Sequence, residues 1–102
     1  MTLHDFTELF SHYPELIDTM PPVFTSHQFI LQLAQAHQVA YVTALAAYRN
    51  TLRSGTPAPF NNVHRELAQG LRNFPERVEY LGDVPSKDIF GQANSASQWR
   101  KI

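Results

Sequence analysis

Histidine, serine and arginine are the side chains here that might do chemistry. The five histidines are His4, His12, His27, His37 and His64. None belongs to an HExxH pair, the spacing that puts two imidazoles on one helix face to hold zinc. His12 follows Asp5 by seven residues and Glu8 by four, so a helix would gather the three on one side. A solvated polar face explains that grouping better than a metal site does, and no metal ligand set is assigned. His64 and Glu66 lie two apart, so on a helix their side chains diverge and do not form an acid–base pair. Ser11, Ser26, Ser54, Ser86, Ser95 and Ser97 lack the GxSxG turn that exposes a serine nucleophile. No glycine-rich phosphate loop is present. The chain has no cysteine, which removes thiolate metal sites, disulfides and a cysteine nucleophile, and fits a cytoplasmic protein. The expectation is a non-enzymatic protein without a cofactor.

The charges are more informative. The net charge is only -1, yet it is unevenly spread. Residues 1–48 carry Asp5, Glu8, Glu15 and Asp18 and no lysine or arginine. All 8 basic residues follow, six of them arginine, the side chain suited to forked contacts with phosphate or carboxylate. Arg65 and Arg72 lie seven apart and project from nearly the same side of a helix. Lys87, Arg100 and Lys101 belong to the tail, with Trp99 beside them. These six residues are the candidate contacts for a polyanion or a protein partner, provided that the tail folds back along the helix. Phe90, in the same loop-rich tail, is a further candidate. Trp99 is equally suited to anchoring the tail in the core.

The elements that must position these residues are organised around residues 26–55. Ile30, Leu33, Ala34, Tyr41, Ala44, Leu45, Tyr48 and Leu52, with His37 among them, follow helical spacing. Ser26 suits the N-cap and Gly55 the position after the end. A continuous helix over 26–53 is predicted, with Leu45 in the core. Between Val39 and Tyr48 only Thr43 is polar, which predicts burial on several sides. The run is too short, and too polar at its flanks, to span a membrane. His37 reads either as a core histidine bonded to a neighbour or as a pH-sensitive packing element. At 1.5 Å per residue such a helix reaches about 40 Å, longer than a domain of this size is across, roughly 33 Å. It must kink, or protrude into a second subunit; a homodimer through the long helix is the expectation.

Upstream, Thr2 suits the cap of a first helix carrying Phe6, Leu9, Phe10 and Tyr13. Pro14 ends it or opens a new turn through Leu16 and Ile17. Pro21 and Pro22 hold residues 20–25 extended, as a short edge strand. Downstream, residues 56–62 read as a loop with Phe60 under the core. Asn61 or Asn62 caps a third helix running to about Asn73, buried through Val63, Leu67 and Leu71. Gly70 inside it suggests close packing against the long helix. Residues 77–81 alternate as a strand would. Ser86 suits the cap of a single helical turn, and residues 95–102 form a last strand or a short helix.

One domain over 1–102 is expected, mainly α with an α+β character: three helices and a small C-terminal β or irregular segment. The order resembles that of a winged helix. The resemblance covers most of the chain and rests on element order, with no sequence motif, and the long second helix departs from it. Two functions follow: a nucleic-acid-binding or regulatory module using the cationic set, or a protein-interaction module docking an acidic protein surface or a second copy.

Overall fold

The computed structural model describes residues 3–102; the Thr2 cap lies outside them. Beyond Pro21 and Pro22 the chain enters strand β1 (Val23–Thr25), which passes without a loop into helix α3 (Ser26–Ala36). Thr25, not Ser26, is the N-cap. Its hydroxyl accepts from the Gln28 amide at 3.2 Å, and the Gln28 side chain accepts from the Thr25 amide at 2.8 Å, a reciprocal capping box. Ser26 is buried.

The predicted helix over 26–53 is two helices. The backbone leaves helical geometry at His37 (φ -131°, ψ 60°), and α4 (Gln38–Ala47) starts in a new direction. Neither proline nor glycine forces the break. The Gln38 side-chain amide donates to the Gln35 carbonyl at 3.2 Å, meeting one of the acceptors that the break exposes. Packing supplies the gain. Tyr41 and Tyr48, 8% and 6% exposed, fold back onto the chain's own core, and the Tyr48 ring reaches Phe6 at 6.0 Å. The whole chain measures 38 × 29 × 24 Å. The length argument for a homodimer through the long helix therefore falls away.

The break also corrects the helix phase. Ala44 takes the fully buried position, Leu45 is half-buried, and Leu52 is exposed. The apolar middle is buried along one face, through Tyr41, Ala44 and Tyr48, rather than all round: Val39 and Val42 face outward, 82% and 59% exposed. No helix among the described residues is long and apolar enough to cross a membrane.

Two short helices precede β1. Helices α1 (Thr7–Ser11) and α2 (Tyr13–Thr19) meet at His12, with Pro14 in the first turn of α2. Phe6, Leu9, Tyr13, Leu16 and Ile17 share one buried core with Phe29, Ile30 and Leu33 of α3. The Tyr13 hydroxyl donates to the Leu67 carbonyl at 2.6 Å, deep in the core.

After α4, strands β2 (Leu52–Arg53) and β3 (Thr56–Pro57) make a small hairpin where helix and loop are predicted. Ser54 and Gly55 both have positive φ, the backbone of a tight two-residue turn. Helix α5 (Pro59–Gln69) begins earlier than the asparagines suggest, with proline in its first turn, and continues as a 3-10 turn (Gly70–Asn73). Gly70 does mark a close approach, but to α1: a Cβ built there would overlap the Phe10 ring.

Strands β4 (Val78–Lys87) and β5 (Ala93–Lys101) form a long antiparallel hairpin, and β1 joins the other side of β5 in the order β1-β5-β4. The Ser86-capped helical turn does not form, because β4 runs through it. Leu81 is an extra residue in β4, between the Tyr80–Trp99 and Gly82–Gln98 pairs. The predicted three helices with a small β segment, in a winged-helix-like order, thus give way to an α+β chain. The described residues form five α-helices, a 3-10 turn and five strands in two sheets.

Candidate functional site

The β4–β5 hairpin does not stand free. It leans across α5 and the start of α3 and encloses a cleft of about 760 Å³. One wall is α5, through Asn61, Arg65, Ala68 and Gln69. Asn61, Arg65 and Gln69 are spaced by four, so they form one row, and all three are exposed. The facing wall is β5, through Asn94, Ser95 and Ser97. Ser26, His27 and Ile30 of α3 lie at the base, and Arg53 enters from the small β2–β3 hairpin. Asp83 and Asp88 supply the negative charge.

The hairpin tip closes one end. Asp88 accepts through Oδ1 from the Phe90 amide at 2.9 Å and the Gln92 amide at 3.0 Å, which fixes the turn. Phe90 then meets Phe60 edge-to-face, with centroids 4.7 Å apart, and lies parallel to the His64 ring at 6.3 Å. Ser86 Oγ lies 3.0 Å from His27 Nδ1. Phe60, predicted under the core, is instead 42% exposed, and Phe90 is 57% exposed.

His64 is held neutral. Burial, helped by nearby His27 and opposed by Asp88, pushes its pKa down to about 4. Its Nε2 lies 2.6 Å from the Tyr41 hydroxyl, and burial pushes that phenol up to about 12. A protonated phenol beside a neutral imidazole means that Tyr41 donates and Nε2 accepts, which leaves the ring proton on Nδ1. The pair fixes α4 to α5. Among the described residues no serine, threonine or lysine hydrogen-bonds to this imidazole, the partner that a base–nucleophile pair would need. Among the described residues no group of three histidine, aspartate or glutamate side chains is placed to hold a metal ion. Asp5 is engaged by Thr7, which keeps its carboxyl below the usual range, while His12 stacks on His37.

The six contacts expected from the sequence are dispersed. Arg65 lies in the cleft. Arg72 is exposed beyond it, its guanidinium 5.3 Å over the Tyr80 ring. Lys87 is exposed at the end of β4, next to the hairpin turn. Arg100 pairs with Glu79 across the strands. The Lys101 ammonium donates to the carbonyls of Asp18 at 3.2 Å and Met20 at 2.9 Å, a cation at the C-terminal pole of α2. Trp99 is 3% exposed, with its indole N–H on Ser97 at 2.9 Å; it is a core anchor. The tail does return to α5, but through β5 residues 93–97 and the turn rather than through its cations. The residues that sequence reading passes over are Asn61, Gln69, Asn94, Ser95 and Arg53. The four-residue spacing of Asn61, Arg65 and Gln69 opposite Val63, Leu67 and Leu71 was the available signal.

The chain matches no protein-family model, no curated protein and no solved structure. Its function has to be read from this geometry.

Proposed function

We propose that the protein is a non-enzymatic nucleic-acid-binding module that takes its ligand in the cleft between α5 and the β4–β5 hairpin. The observation that carries this reading is the row Asn61, Arg65 and Gln69, which faces Asn94 and Ser95. Arginine and the carboxamides are the side chains that match the hydrogen-bonding edges of bases, and Arg53 and Arg65, which line the cleft, suit phosphates. A cytoplasmic setting accords with a chain that carries no cysteine.

A second reading has its own support. The outward-facing Val39 and Val42 of α4 form an apolar stripe suited to a protein partner, and the net charge of -1 gives little long-range attraction to phosphate. The test is a fluorescence-anisotropy titration at two salt concentrations, using random-sequence nucleic acid as duplex and as single strand. Binding should weaken with salt, with a log–log slope of about -0.7 to -0.9 per phosphate contact. Arg65→Ala should weaken it and flatten the slope by about one contact. Failure of both forms to bind at low salt would leave the protein-interaction reading.

A further inference from the structure

Resting on the nucleic-acid reading, we infer that the cleft takes a single strand rather than a duplex, with an unpaired base stacked at Phe60 and Phe90. A helix that reads duplex DNA must enter a major groove about 12 Å wide with its base-reading residues leading. Here that row forms the wall of a cleft. The first turn of α5 is already occupied by the hairpin tip, through Phe90 on Phe60 and His64. The cleft, about 760 Å³, lies within the roughly 300–1,000 Å³ range of sites that enclose a small ligand. It suits one or two splayed nucleotides and excludes a paired helix.

The chemistry of the walls agrees. Unpaired bases are held by stacking on aromatic rings and by hydrogen bonds to their open edges. Phe60 and Phe90 are half-exposed. They touch edge-to-face, at 71°, and that contact leaves 42% of Phe60 and 57% of Phe90 exposed, surface on which a base can stack. Carboxamides line both walls, serine hydroxyls line the β5 side, and Arg53 and Arg65 flank them. Both carboxylates are already engaged: Asp88 by two turn amides, and Asp83 by the Tyr80 hydroxyl at 2.7 Å. Their repulsion of a passing phosphate is reduced accordingly.

The experiment compares a short fluorescein-labelled oligothymidylate with a random duplex of the same length, at low salt. The strand should bind more tightly. Phe90→Leu should weaken strand binding by roughly 5- to 150-fold, the range for losing one stacked base, and Phe90→Tyr should restore it. Phe90→Trp keeps a ring in place, and its emission should be quenched on adding the strand, whether or not the leucine variant folds. Duplex binding as tight as strand binding overturns this inference and leaves the nucleic-acid reading standing. Undiminished strand affinity in a folded Phe90→Leu, or an unquenched Phe90→Trp, overturns it as well. If neither form binds, both readings fall together.

Discussion

His12 and His37 stack face to face, their ring centroids 3.7 Å apart and their planes 14° from parallel. Each stands at a helix break, His12 between α1 and α2 and His37 between α3 and α4. The two breaks are thus joined by one side-chain contact. A stacked aromatic pair contributes about 0.5–1.5 kcal/mol beyond its buried area. His12→Ala and His37→Ala should each lower the melting midpoint by several degrees. The double variant should lose less than the two together, because the contact is shared. Strict additivity in thermal denaturation would mean that the stack contributes nothing.

Gly70 and Phe10 make a second coupled pair. A methyl group at residue 70 overlaps the Phe10 ring, so Gly70→Ala should destabilise by about 1–3 kcal/mol through overpacking. On helix propensity alone the same change would stabilise by up to about 1 kcal/mol, so the sign decides between the two effects. Adding Phe10→Leu to Gly70→Ala should recover part of the loss in a denaturant midpoint.

His64 sets a pH dependence. Its folded pKa is about 4, below the ordinary value of 6.5. Between those values the unfolded chain takes up a proton that the folded chain does not, so stability falls as pH drops from about 6.5 and levels off below about 4. His64→Gln should remove that part of the slope in melting curves taken across this range. An unchanged slope would show that other groups cause it.

The helix phase makes the fourth prediction. Leu33 is fully buried, so Leu33→Ala should cost about 2–5 kcal/mol. Leu45 is half-buried and packs at the core's margin. Leu45→Ala should therefore cost clearly less in the same denaturation assay. Equal losses would mean that α4 is rotated from the orientation described here.

Part of the core is legible in local pattern; the architecture is not. Pro14, Pro21 and Pro22 punctuate the chain, and the apolar stripes pick out Leu9, Tyr13, Ile30, Leu33 and Leu67, all buried. The break at His37 is not legible. Residues 36–38 read as ordinary helix, and the break lets Tyr41 pack on His64 of α5 and Tyr48 on Phe6, a tertiary effect that overrides propensity. The site is hidden for a related reason. Its polar walls come from α5 and β5, distant in sequence, and a charge count draws the eye to Arg100 and Lys101, which are bound to Glu79 and to the end of α2.

The middle strand of the sheet pairs residue 23 with residue 100. The β4–β5 hairpin needs only local closure, whereas β1 must search across nearly the whole chain before it can join. Because Thr25 ends β1 and caps α3, docking that strand also fixes the direction of the helix beneath the cleft. A change in the pairing of residue 23 with residue 100 should therefore disturb the geometry of the cleft as well as that of the sheet.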